Sequence, residues 1–138
     1  PYNSEFMVAA DILYLSYEQL PASRAAFAGQ LYREYGCAVI VIGMGDAGAL
    51  LHLGREGRTW QVPAVFTRPV VNTIGAGDAL FSCFMHRFGD GRDALAALRR
   101  AVVFASWKIG EKGAASGFPD AAHLEELCTR FLPEARPV

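Results

Sequence analysis

Residues 72–88 constrain this chain more than any other stretch. Gly75-Ala76-Gly77-Asp78 is followed at once by Leu80, Phe81, Phe84, Met85 and Phe88, apolar residues at helical spacing. The spacing predicts a glycine-rich turn that feeds straight into the first turn of a buried helix. A helix start of this kind leaves backbone N–H groups unpaired, carries no bulky Cβ to hold a ligand away, and presents the positive end of the helix dipole. Together these favour an anion such as a phosphate. Asp78 is then placed to hold a hydroxyl in line with that phosphate and to take its proton, the arrangement phosphoryl transfer requires. The plainer alternative is a simple turn followed by a first-turn carboxylate that the dipole favours.

The longer string Asn72-Thr73-Ile74-Gly75-Ala76-Gly77-Asp78-Ala79-Leu80-Phe81 resembles the signature of the ribokinase (PfkB) family of carbohydrate kinases. That signature reads Asp-Thr-x-Gly-Ala-Gly-Asp, then a small residue and an aromatic. The resemblance implies Asp78 as general base, the amides of Gly75, Ala76 and Gly77 as the anion hole, and Thr73 beside the nucleotide. It implies ATP with Mg2+ as phosphoryl donor and a sugar or sugar-like hydroxyl as acceptor. The implied fold is α/β: a three-layer ribokinase-like (Rossmann-like) sandwich with a mostly parallel sheet, an antiparallel hairpin and helices on both faces. Kinases of the family are longer than this chain, so residues 1–138 are expected to be a partial domain. They would be the C-terminal nucleotide-binding portion, with the N-terminal sugar-binding half absent and the isolated piece inactive.

Composition narrows the other classes. With 138 residues and 52% hydrophobic content, the chain can bury one sizeable core. Thirteen basic and fourteen acidic residues, with no basic block, argue against a nucleic-acid partner. No apolar run is long enough to span a membrane, and residues 1–6 lack the features of a signal peptide. Cys37, Cys83 and Cys128 are odd in number and far apart, which suits reduced buried thiols and a cytoplasmic protein. A homodimer is left open.

Taken in order, residues 11–15 form a short apolar run, as a buried parallel strand would. In the family this strand leads to Asn-x-x-Glu, which handles magnesium through water; here Ser16 and Gln19 hold those places, and Glu18 is the nearby carboxylate. An amphipathic helix is expected from Pro21 to a stop at Gly36, then a buried strand at 37–42. Residues 43–48 match Gly-x-Gly-x-x-Gly literally, the fingerprint of a dinucleotide site. That fingerprint demands a long helix next, whereas 49–53 and 59–62 read as two strands joined by a Gly-rich turn, so a hairpin is expected. The family has Gly-x-x-Gly here, matched by Gly45 and Gly48 with Asp46 between them, near the nucleotide phosphates. It often carries Thr two residues earlier, where this chain has Gly43. His52 is expected on a solvent-facing or edge position.

Residues 63–71 should cross to the signature, 89–91 should turn, and 92–109 should form a helix with one packing stripe and with Arg99 and Arg100 on its solvated side. The loop 110–119 resembles the family segment that covers adenine and supplies carbonyls to a monovalent cation, which points to Gly113 and, after it, to Ser116. Ribokinase-like members also use the first acid of the signature for that cation, so Asn72 is the second candidate metal position, beside Glu18, and K+ an open cofactor. A final helix over 119–131, with Leu124, Leu127 and Phe131 inward, ends the expected elements. The competing function is a catalytically impaired nucleotide-binding or regulatory module of kinase ancestry, motivated by Ser16, Gln19, Gly43 and Asn72.

Overall fold

The computed structural model describes residues 12–16, 24–91, 93–111 and 118–138. Its strands are β1 (Ile12–Ser16), β2 (Val39–Gly43), β3 (Ala49–Leu53), β4 (Arg58–Val62) and β5 (Arg136–Pro137). Its helices are α1 (Arg24–Tyr35), α2 (Ala76–Gly91), α3 (Ala94–Lys108) and α4 (Ala121–Phe131). The strands lie in the order β1-β2-β3-β4-β5. β1 and β2 are parallel, with Tyr14 opposite Val41, while β2–β3, β3–β4 and β4–β5 are antiparallel. The α/β class stands, but across the described strands the sheet is mixed rather than mostly parallel. The tight turns after β2 and β3 permit only antiparallel returns, because a parallel neighbour needs a long crossover.

The sheet is covered on both faces, which gives the three layers. Ile40, Ile42 and Leu50 pack with Ala28 and Leu31 of α1 on one side. On the other side Val41, Leu51 and Val62 meet Leu80 and Phe84 of α2 and Leu98 of α3. Neighbouring residues of β2 thus go to opposite cores, as the two-residue strand period requires. Gly36 adopts φ 71 and its N–H donates to the Tyr32 carbonyl at 2.8 Å, ending α1 where the glycine predicts. The helix begins at Arg24 among the described residues, and Pro21 lies outside them. The Asp93 and Asp120 carboxylates cap α3 and α4, accepting from the N–H groups of Ala96 and His123.

Three expectations change. His52 is buried, not solvent-facing: β3 is interior to the sheet, and Tyr32 of α1 covers that face with its ring 6.3 Å from the imidazole. The His52 Nδ1 is satisfied by Thr59 Oγ1 at 2.8 Å. The turn expected at 89–91 is instead the last stretch of α2, since neither Gly89 nor Gly91 takes a positive φ that would end the helix. Arg99 and Arg100, expected on a solvated side, tie α3 to the C-terminal segment: Arg99 Nε donates to the Pro133 carbonyl at 2.7 Å and Arg100 Nε to Glu125 at 3.1 Å. Beyond α4 the chain also returns as β5, where Val138 N–H donates to the Thr59 carbonyl at 2.9 Å. A two-residue edge strand carries too little pattern to be read from sequence.

Candidate active site

The C-terminal end of β2, the turn after it and the start of α2 converge on one cleft of about 470 Å³. That volume is within the range of small-molecule sites. Its walls include Gly45, Asp46 and Gly48 from the turn, and Thr73, Ala76 and Gly77 from the signature. Val65 and Phe66 from the crossing segment, with Val102 and Ile109 from the region of α3, make the remainder largely apolar.

The signature folds as its residues dictate. Asn72 Oδ1 accepts from Ile74 N–H at 3.0 Å, a local turn that brings the chain into Gly75, whose φ of 82 is the left-handed conformation glycine adopts without strain. The Gly75 carbonyl accepts the N–H of Ala79 at 2.9 Å, the first bond of α2. The Ala76 N–H is spent on the Thr73 carbonyl at 3.1 Å. Among the described residues no acceptor takes the N–H groups of Gly75, Gly77 or Asp78. The open donors of this helix start are therefore those of Gly75, Gly77 and Asp78, while the Ala76 N–H is used within the turn. The Asp78 side chain is exposed in the first turn of α2, next in sequence to the cleft-lining Gly77. A carboxylate there can reach a hydroxyl brought up to an anion on those amides.

The other loop that lines the cleft is a 3-10 turn over Gly45–Ala47. It is followed by β3 and not by a long helix, which removes the dinucleotide fingerprint. Gly45 takes φ 57 and Gly48 φ 93. A Cβ on Gly48 would overlap the Val62 carbonyl oxygen, so this glycine is demanded by the close approach of β4 as well as by its φ. The N–H groups of Ala47 and Gly48 close the turn onto Met44 and Gly45, while those of Gly45 and Asp46, both cleft-lining residues, find no acceptor among the described residues.

Glu18, Gly113 and Ser116 lie outside the described residues. The Asn72 side-chain oxygen is engaged within its own loop, and among the described residues no cluster of three His, Cys, Asp or Glu side chains could hold a metal ion. The three cysteines are buried, and burial pushes the Cys83 thiol up to about 11, which keeps it protonated and inert. His86 is exposed on α2, 3.9 Å from Asp90, and does not share the Asp78 site.

Sequence reasoning missed two contributors. Tyr14 of β1 lines the cleft, its ring 5.0 Å from that of Phe81. Arg68 holds the crossing segment against α3: its Nε donates to the Trp107 carbonyl at 2.8 Å, and its guanidinium lies 3.8 Å from the centre of the Trp107 ring. Neither carries a local signal, since Tyr14 reads as one more residue of an apolar strand and Arg68 as a loop cation.

Residues 11–121 match the family model described as pfkB family carbohydrate kinase. The chain belongs to that family. A deoxyribokinase from Salmonella typhimurium is 37% identical over 93 residues, covering 67% of this chain and 29% of the relative. Among solved structures, the microbiome-derived acarbose kinase Mak1 superposes with a TM-score of 0.84 at 25% identity, over 94% of this chain and 44% of Mak1. An Arabidopsis thaliana ribokinase complexed with ribose and ATP shares the fold, with a TM-score of 0.77 at 22% identity over 90% of this chain and 42% of the ribokinase. The chain thus spans under half the length of each of these relatives. No helix among the described residues is long and apolar enough to cross a membrane.

Proposed function

We propose that this chain is the nucleotide-binding portion of an ATP-dependent kinase that phosphorylates a hydroxyl of a sugar or sugar-like substrate, with the sugar-binding half outside residues 1–138. The observation that carries the proposal is the start of α2, where Asp78 stands in the first turn beside N–H groups of Gly75 and Gly77 that find no acceptor among the described residues, and where Ala76 and Gly77 line the cleft. The Salmonella deoxyribokinase and the ribose- and ATP-bound ribokinase support the substrate class.

In this reading the triphosphate lies between the Gly45–Asp46 turn and Gly75–Gly77, with the base of the nucleotide along the apolar wall near Val102 and Ile109. Asp78 takes the proton of the acceptor hydroxyl as its oxygen attacks the γ-phosphorus and the bond from that phosphorus to ADP breaks. The free amides stabilise the charge on the transferred group. The proton on Asp78 then passes to solvent. Mg2+ would arrive on the triphosphate, held mainly by phosphate oxygens and water, and would neutralise charge there. Use of K+ near Asn72 and the 110–119 loop belongs to the same proposal, and assays in K+ against Na+ read it.

Asp78→Asn in the full-length protein keeps shape but removes the proton acceptor. Turnover against a panel of sugars and nucleosides should fall by about 10² to 10⁴. Nucleotide affinity should change little, because backbone amides hold the phosphates. Near-normal turnover in a correctly folded variant would overturn the role of Asp78, whereas nucleotide binding without turnover of any acceptor by the unmodified protein would favour a regulatory module.

A further inference from the structure

We propose that the Tyr14 hydroxyl is a side-chain ligand of the transferred phosphoryl group, completing a site otherwise made of backbone amides; this rests on the kinase reading above.

Two glycines beside Tyr14 have a backbone conformation that does not require glycine. Gly43 and Gly77 are absent from the positive-φ glycines among the described residues, which are Gly36, Gly45, Gly48, Gly57 and Gly75. What Gly43 and Gly77 supply is room. A Cβ on Gly43 would lie 2.6 Å from the Tyr14 hydroxyl, and one on Gly77 would lie 3.0 Å from the same atom. One oxygen, carried by β1, thus occupies the side-chain space of two residues, one at the end of β2 and one in the first turn of α2. Phe81, one turn further along α2, packs against the Tyr14 ring and fixes its direction.

That oxygen lines the cleft and accepts or donates no hydrogen bond among the described residues. A half-buried phenol without a partner is costly unless a ligand or water completes it. Its neighbours say which ligand. Gly77 adjoins that oxygen, and the N–H groups of Gly77 and Asp78 find no acceptor among the described residues, so an occupant that meets them and the phenol must offer several acceptor oxygens, as a phosphoryl group does. Burial, and after it the Asp78 carboxylate, raise the Tyr14 pKa, so the phenol remains a neutral O–H donor through the physiological range. Beside Asp78 and Gly77 it meets the transferred phosphate, not the distal nucleotide base.

Tyr14→Phe in the full-length protein removes this oxygen and keeps the ring on Phe81. Turnover should fall by about 10- to 100-fold, the cost of one donor to a developing charge. In 31P NMR of bound adenylyl imidodiphosphate, the γ resonance should move more than the α resonance. The double variant Tyr14→Phe/Gly43→Ser restores a hydroxyl beside the vacated position and should recover part of the loss. Wild-type turnover for Tyr14→Phe together with a crippled Asp78→Asn would overturn the role of Tyr14 and leave the kinase reading standing. Wild-type turnover for both would overturn the roles of Tyr14 and Asp78 together, and no turnover by the unmodified protein would overturn the kinase reading. A loss of turnover with a lowered melting temperature and an unmoved γ resonance would reduce Tyr14 to packing and overturn the proposal.

Discussion

The two loops that frame the cleft are held in opposite ways. The turn after β2 closes on itself: Met44 N–H donates to the Gly48 carbonyl at 2.8 Å, Ala47 N–H to Met44 at 3.0 Å and Gly48 N–H to Gly45 at 3.1 Å. The segment that carries the chain from β4 to the signature is held by residues far along the sequence. The Thr67 N–H donates to Ser106 Oγ at 3.0 Å, Arg68 grips the Trp107 carbonyl, and the N–H groups of Val71 and Asn72 share the Ile109 carbonyl at 2.7 and 2.9 Å. The first loop is shaped by glycine conformation and local bonds. The second is shaped by the C-terminal end of α3, where the Ser106 hydroxyl and the Trp107 and Ile109 carbonyls at and just past the helix end accept these donors. One wall of the cleft is therefore hydrogen-bonded mainly within itself, and the other is coupled to helix packing.

The contrast can be broken most severely at Gly48. Gly48→Ala must place a Cβ against the Val62 carbonyl and hold φ 93, so it should destabilise the fold by about 3 kcal/mol or more. A shift in the denaturation midpoint at unchanged m-value would register it. A loss below about 1 kcal/mol would show that the turn can re-form without glycine. On the other loop, Arg68→Met keeps the apolar stem over Trp107 and removes the donors to its carbonyl, with an expected cost of about 1–3 kcal/mol. Because the same segment delivers the signature, nucleotide affinity measured by calorimetry should weaken in Arg68→Met. Unchanged affinity would mean that the signature holds its shape independently of α3.

The smallest effect belongs to the far end of the β3–β4 hairpin. Burial, and then the Arg33 charge, lower the His52 pKa from its ordinary 6.5. The unfolded chain then binds the proton more readily than the folded one. Stability should be fully present above about pH 6.5 and should decline as the pH falls through 6.5 toward the folded value. Denaturation of the wild type and of His52→Gln at a series of pH values checks this, and equal slopes would show that His52 does not carry the dependence.

Much of the fold was legible because its signals are local. The β-branched run of β2, the stop at Gly36, the hairpin over 49–62 and the glycine-to-helix entry at 75–78 each depend on residues within one turn or one strand of each other. The same locality made Asp78 and the amides of Gly75 and Gly77 readable, since a helix start exposes its own N–H groups wherever it sits. The burial of His52 was not legible, because a period of two says that neighbours alternate but not whether both faces are covered; α1 decides that. The extension of α2 through Gly91 depends on backbone angles that the glycines permit but do not choose. The edge strand β5 exists because β4 offers it unpaired backbone groups. Tyr14 belongs to the same class. Its residue type and position in β1 follow from the sequence, but only the parallel pairing of β1 with β2, and the seating of α2 across them, bring its hydroxyl between Gly43 and Gly77. Short-range backbone chemistry is written in the order of residues, whereas a contact between three elements depends on where each is docked, and packing fixes that only when the chain has folded.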